Sequence, residues 1–260
     1  MYCKKKYALI TGASSGIGME FARQLADMGY NLILAARRKE RLEKLASELK
    51  NKETDIMIIT VDLSKTEECE RLIKETEKIP VTIFINNAGF GACGRFMDSD
   101  VKRDLEMIDV NDKAMHFLMK LMLVKMEKQK RGYILNVVSS AGLLPAGPYM
   151  ATYYASKAYM ASLTRAVAAE LKQSGSRVYV GALCPGPVDT EFNKVANVEF
   201  ALPGITTKYC VSYALRQMKR RRVVIVPKLA LKAATTLGRF IPQKILIAVT
   251  GHQQKKKMEQ

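Results

Sequence analysis

Residues 7–18, YALITGASSGIG, run from a short apolar stretch straight into a glycine-rich turn. Tyr7–Ile10 has the composition of a buried strand. Ile17, Phe21 and Leu25, at i, i+4 and i+8, lay out one face of the helix that follows. Between them Gly12, Gly16 and Gly18 supply residues without a Cβ where the chain reverses sharply and a pyrophosphate must approach the backbone. The helix start offers free N–H groups and a partial positive charge to an anion, with the Ser14 and Ser15 hydroxyls beside it. No Lys-Ser or Lys-Thr follows Gly18, which excludes the triphosphate-binding P-loop. The turn, including Ile17, is expected to hold a dinucleotide.

Working outward, apolar runs at Asn31–Ala36, Ile56–Val61, Val81–Asn86, Tyr133–Ser139, Arg177–Leu183 and Val223–Val226 read as six further strands. Helical patterns separate several of them. Leu42, Leu45 and Leu49 form a stripe after the second strand, a long helix spans about 111–127, and another from about Thr152 to Lys172 carries Met160, Leu163, Val167 and Leu171. Continuously apolar strands imply burial on both sheet faces. The fold class expected is α/β, a Rossmann-type doubly wound parallel seven-stranded sheet with helices on both faces. With no repeat or composition break before residue 200, one domain over 1–260 is expected, with a basic helical extension at about 228–260.

Composition narrows the function. The 260 residues are 48% apolar and 26% charged, which excludes a disordered or collagen-like chain. Five cysteines without CxxC spacing, and no signal-peptide pattern, point to a cytoplasmic setting. The two histidines are far apart, so neither a His-based triad nor a metal site is expected.

At the end of the second strand stands Ala35-Ala36-Arg37-Arg38, where an NAD enzyme usually places a carboxylate for the ribose hydroxyls. A guanidinium suits a 2′-phosphate, so the cofactor is expected to be NADP(H), with Arg37 as main contact and Arg38 in support. Tyr153 and Lys157 lie four apart on one helix and share a face. A free phenol has a pKa near 10, so acid–base work near neutrality requires a depressed value, which a nearby ammonium and an oxidised nicotinamide would supply. Tyr154, with Ala158 four residues on, lacks such a partner. Ser139 and Ser140 end the fifth strand, where hydroxyls face the cleft at the carboxyl edge of a parallel sheet.

Four segments together resemble the short-chain dehydrogenases/reductases: TGASSGIG at 11–18, NNAG at 86–89, Ser140 thirteen residues before YYASK, and PGPV at 185–188 followed by Thr190. The resemblance spans about residues 5–226. It implies Tyr153 as general acid/base, Lys157 on the nicotinamide ribose, Ser140 orienting the substrate oxygen and Asn111 helping to hold a relay water. By the same resemblance Asp62 with Leu63 contacts adenine. Asn87, Ala88 and Gly89 line the cofactor, and Pro185, Gly186, Val188 and Thr190 close over the nicotinamide. Ser15 stands where some NADP enzymes of the family carry a basic residue, which leaves phosphate recognition to the two arginines.

The segment after the sixth strand sets specificity in this family. Here Phe192, Val195 and Phe200, with Tyr149 and Met150, suggest an apolar wall for a hydrophobic ketone or secondary alcohol. A hydroxysteroid or bile acid is the leading expectation. A 3-oxoacyl reductase or general carbonyl reductase is the alternative, and a non-catalytic NADP-binding sensor is the rival of another class. The resemblance also implies a homodimer or homotetramer.

The net charge is +17, and residues 201–260 hold 13 basic side chains against one acidic one. Three readings compete for this tail: a helical pair over the site or a subunit face, peripheral attachment to anionic lipid, and nucleic-acid binding through KRRR at 219–222. Without aromatic interleaving, no nucleic-acid partner is expected.

Overall fold

The computed structural model describes residues 6–50, 54–191 and 204–256. Seven parallel strands form its centre: β1 (Tyr7–Thr11), β2 (Asn31–Ala36), β3 (Ile56–Thr60), β4 (Val81–Asn86), β5 (Gly132–Val137), β6 (Val178–Leu183) and β7 (Val224–Ile225), in spatial order β3-β2-β1-β4-β5-β6-β7. The order reverses direction between β1 and β4, and ligands of such sheets bind beyond the strand carboxyl ends at that point.

Strand alternation divides the core into two layers. Ala8, Ile10, Leu32, Leu34, Ile83 and Ile85 point to one face. There they meet Phe21 and Leu25 of α1 (Gly16–Asp27), Leu42 and Leu45 of α2 (Lys39–Leu49), and Val211 and Leu215 of the later helix Thr207–Lys219. Leu9, Ile33, Phe84 and Ile134 point the other way. Their partners are Leu72 of α3 (Thr66–Thr76), Leu118 and Met122 of the helix Met115–Lys128, and Met160 of the helix Ala151–Gln173.

In chain order the remaining helices are α4 (Val101–Ile108), α5 (Met115–Lys128), α6 (Ala151–Gln173), α7 (Thr207–Lys219), α8 (Leu229–Leu237) and α9 (Gln243–Lys256). A π-helical turn, Asp109–Ala114, joins α4 to α5, so the long helix expected from residue 111 begins ten residues earlier and changes its winding there. A short 3₁₀ turn, Gly238–Phe240, separates α8 from α9.

The C-terminal helices fold back toward the carboxyl edge of the sheet. Leu231 packs into the second core layer, the Thr250 hydroxyl donates to the Ala146 carbonyl (3.0 Å), and Gln254 Nε2 donates to the Tyr154 hydroxyl (2.7 Å). No helix among the described residues is long and apolar enough to cross a membrane.

Candidate active site

The glycine turn sits where β1 hands over to α1. Gly12 and Gly16 have φ of 64° and 55°, in the left-handed region that disfavours a side chain. A Cβ on Gly12 would stand 2.8 Å from Asn87 Nδ2, and one on Gly16 would press on the Thr190 methyl at 3.2 Å. Ser15 enters α1 in extended conformation with no side-chain cap, leaving the helix start open to an anion.

Thr11, which sequence reasoning passed over, clamps this turn. Its hydroxyl oxygen accepts from the Asn87 N–H (2.9 Å) and the Ala88 N–H (3.1 Å), while Asn87 Nδ2 donates to the Thr11 carbonyl (2.8 Å). Asn87 thus holds the turn in shape. Leu63 lies in the core, so it has only backbone to offer a ligand, and one Asp62 carboxylate oxygen accepts from the Ser64 hydroxyl (2.9 Å).

The arginines divide differently from expectation. Arg38 reaches over the turn, donating from Nη2 to Ser15 Oγ (2.8 Å) and Ser14 Oγ (3.2 Å), and it also pairs with Glu191 (3.2 Å). Arg37 turns outward to Glu106 on α4 (3.1 Å). The residue seated over the serines is therefore Arg38 rather than Arg37. Consecutive residues at a strand end point to opposite sides, and the second of the two faces the glycines.

Tyr153 and Lys157 face inward from α6, both buried. Lys157 Nζ lies 5.7 Å from the Tyr153 ring centre and donates to the Val137 carbonyl (3.5 Å). A Cβ on Gly89 would stand 3.1 Å from Lys157 Nζ and 2.8 Å from Asn111 Oδ1, so glycine alone leaves room there. The hydroxyl that hydrogen-bonds to Tyr153 is that of Ser139. Ser140, the residue expected there, opens the 3₁₀ turn Ser140–Leu143, and its backbone N–H donates to Pro185 (2.8 Å). The thirteen-residue count, which points to Ser140, runs through a loop. Residues 144–150 hold two prolines and Tyr149 at φ 65°, and nothing periodic fixes how many residues such a loop contains.

Burial governs the charges. It pushes the Tyr153 phenol up to about 12, against the Ser139 hydrogen bond, which lowers it. The depressed value expected from sequence is therefore not a property of these side chains alone. Burial likewise draws Lys157 down to about 8, with Asp112 opposing. Asp112, in the π-helical turn, is itself pushed up to about 6 by burial. Its Oδ1 is buried without a hydrogen-bond partner. The neighbouring Asn111 amide is engaged throughout: Nδ2 donates to the Phe90 carbonyl (2.8 Å) and Ser156 Oγ (3.1 Å), and Oδ1 accepts from the Phe90 N–H (3.0 Å).

Around Tyr153 lies a small apolar cluster of Met107, Ala141, Met150 and Tyr154, with Phe90, Cys93 and Leu144 packed on it. Met150, expected in the substrate wall, lies in this cluster, whereas Phe90, Cys93 and Leu144 carried no sequence signal. Tyr149 borders a hollow of about 310 Å³ between residues 92–104 and the start of α6. The expected wall residues Phe192, Val195 and Phe200 lie outside the described residues. Val188 pairs with Ile205, and Thr190 rests on Gly16, so the segment after β6 reaches across the glycine turn. The open helix start, the room a Cβ would fill and the guanidinium over two hydroxyls together fit a phosphorylated dinucleotide.

The family model described as short chain dehydrogenase matches residues 6–199. A very-long-chain 3-oxoacyl-CoA reductase of Meyerozyma guilliermondii is 34% identical over 230 residues, 84% of this chain and 66% of that protein. An uncharacterized oxidoreductase of Staphylococcus saprophyticus is 35% identical over 71% of this chain and 79% of its own length. The chain spans about three fifths to two thirds of the curated 3-oxoacyl-CoA reductases that head the comparison. Among solved structures, a short-chain dehydrogenase from Sphingobium yanoikuyae in complex with NADPH is 31% identical, with a TM-score of 0.80 over 92% of this chain and 97% of that one. A 7β-hydroxysteroid dehydrogenase at 24% identity, covering 94% and 96% with a TM-score of 0.83, shows the fold alone.

Proposed function

The chain belongs to the short-chain dehydrogenases, and we propose that it is an NADP(H)-dependent reductase of 3-oxoacyl thioesters. The observation that carries the reaction class is the pair of buried side chains Tyr153 and Lys157, with the Ser139 hydroxyl hydrogen-bonded to Tyr153, beside the glycine turn.

In this reading the Ser139 hydroxyl and the Tyr153 phenol converge on the substrate carbonyl oxygen, and bound NADPH supplies hydride to the carbon. Tyr153 gives its proton to the oxygen as negative charge develops there. A phenol held near pKa 12 by burial stays protonated at neutral pH, the form reduction needs. Lys157 holds the nicotinamide ribose, and the Asp112 carboxylate keeps its ammonium charged. The turn of Gly12, Ser14, Ser15, Gly16, Ile17 and Gly18 takes the pyrophosphate, and Arg38 takes the 2′-phosphate. Asp62 serves adenine, and the Pro185–Thr190 segment covers the nicotinamide.

The leading substrate expectation, a hydroxysteroid, gives way to its alternative. The relatives at 34% identity are named for 3-oxoacyl-CoA, whereas the steroid-named neighbour supports the fold alone. The apolar cluster at Tyr153 suits an acyl chain, and a protein of charge +17 attracts a substrate carrying phosphates. A homo-oligomer remains the expected assembly, by family likeness.

The test is NADPH oxidation with 3-oxoacyl-CoA thioesters of increasing chain length, set against oxosteroids, oxo-bile acids and small aldehydes. Thioester turnover that rises with chain length is expected, with Tyr153→Phe losing turnover but keeping NADPH affinity. Turnover of oxosteroids but not thioesters would restore the steroid reading. NADPH binding with no turnover across the panel would leave the sensor.

A further inference from the structure

The C-terminal helical pair leaves several bulky apolar side chains on its water-exposed surface. A helix on a soluble domain turns its bulky apolar residues to the protein and its polar ones outward. Here Thr235 of α8 and Thr250 and Gln254 of α9 are buried, the last two hydrogen-bonded to the body of the protein. Leu229, Leu237 and Phe240 are 79%, 62% and 85% exposed, and Ile245 and Val249 of α9 are about half exposed. Leu237, Phe240 and Ile241 cluster at the turn between the helices, and Ile245 follows one turn later, so the apolar surface is contiguous in the chain. Single exposed leucines need no explanation, but a row of them on one helical pair does.

Charge identifies what covers it. Lys232, Arg239 and Lys244 are all exposed on the same two helices and the turn joining them. No Asp or Glu stands anywhere between Glu199 and Glu259. A second copy of this chain meeting the patch by two-fold symmetry would set these cations against their own counterparts, with no carboxylate on the patch to pair them. An anionic bilayer supplies both parts at once: lipid phosphates for the cations and an acyl boundary for the apolar side chains. Neither helix spans a membrane, so the contact lies in the interface plane.

We propose that α8, α9 and the turn between them form a peripheral docking surface for an anionic lipid bilayer, in which Leu237, Phe240, Ile241 and Ile245 enter the headgroup boundary while Arg239 and Lys244 meet lipid phosphates. The inner side of the pair rests on the 146–148 loop and on Tyr154, the neighbour of Tyr153. Docking therefore brings the residues that border the site close to the lipid surface. The inference does not depend on which ketone the enzyme reduces.

The test is sedimentation of the full-length protein with phosphatidylcholine vesicles, with and without phosphatidylglycerol. The wild type should pellet with the anionic vesicles at low salt and be about tenfold less retained at high salt, where exposed charges are screened. The double variant Leu237→Ser, Phe240→Ser should lose about tenfold in retention, each substitution removing one inserted apolar side chain. The double variant Arg239→Gln, Lys244→Gln should lose the preference for phosphatidylglycerol. Thermal unfolding of both variants should match the wild type, because the four side chains are exposed. No retention of the wild type on anionic vesicles at low salt would overturn the proposal. So would retention indifferent to both variants. A drop in oligomeric size for Leu237→Ser, Phe240→Ser without any lipid effect would assign the face to subunit contact instead.

Discussion

At Ser139 and Ser140 two adjacent hydroxyls compete for one role, and geometry separates them. Ser139 shares a hydrogen bond with Tyr153, whereas Ser140 is turned into the 3₁₀ turn with its backbone committed to Pro185. Losing a donor to a developing oxyanion costs about 10²–10³ in turnover. Ser139→Ala should therefore lower kcat by about that factor with NADPH affinity unchanged, while Ser140→Ala stays within a few-fold; the reverse pattern in steady-state kinetics would reinstate the thirteen-residue count. Asp112 supports a second prediction. Its folded pKa, about 6, exceeds its usual 3.8, so the folded state binds the proton more tightly than the unfolded one. The contribution of Asp112 to stability is therefore most favourable below about pH 4, falls as pH rises toward 6, and stays reduced above that. Asp112→Asn should remove this fall, visible as a flatter dependence of the unfolding midpoint on pH. It should also withdraw the negative charge that supports the Lys157 ammonium. Lys157 would then lose its proton below about pH 8, and the alkaline limb of the pH–rate profile should move to lower pH. An unmoved limb would show that Asp112 does not act through Lys157.

Among elements, the most legible were those whose pattern comes from burial. β2 and β4 have the expected ends, and the other strands differ by one to three residues, because a strand apolar on both faces contrasts sharply with the turns around it. α2 was legible from three leucines on one face, and Tyr153 with Lys157 from helical spacing. The helices α3, α4 and α7 went unread. α3 and α4 are strongly charged, and α3 buries only Cys69, Leu72 and Thr76, too thin a stripe to stand out from a polar loop. Ser139 was legible as a cleft-facing hydroxyl, but the choice between it and Ser140 was not, since loop length obeys no period. The same contrast predicts which changes an element tolerates. α1 lies so close to the glycine turn that a Cβ on Gly18 would overlap the Gly12 carbonyl oxygen and crowd Asn87 Nδ2. Backbone cannot move aside as a flexible side chain does, so Gly18→Ala should cost about 1–3 kcal/mol. It should also push α1 away from the pyrophosphate position. Thermal unfolding and NADPH titration should both worsen. A variant with normal NADPH affinity would show that the helix start is not the anion site.

For the whole molecule, the question is what a charge of +17 does for an enzyme whose chemistry rests on a few buried groups. Surface charge does not set the fold, but it raises the encounter rate with an anionic partner, by about tenfold or more where a positive field surrounds the cleft. A 3-oxoacyl-CoA carries several phosphate charges, and a neutral ketone or short thioester without the nucleotide carries none. The two substrates present the same carbonyl to Tyr153 and Ser139, so a difference in how their kcat/KM responds to salt isolates steering from chemistry. With NADPH saturating, kcat/KM for the CoA thioester should fall about tenfold from low to high salt, while the neutral thioester of equal chain length stays within about twofold. Vesicle-free buffer removes any contribution that lipid contact by α8 and α9 would make. A parallel fall for both substrates would trace the salt effect to the protein itself rather than to attraction of the substrate. No fall for either would leave the excess of cations, concentrated after residue 200, to the membrane-docking role argued for α8 and α9, and would detach the acyl-CoA reading from its electrostatic support.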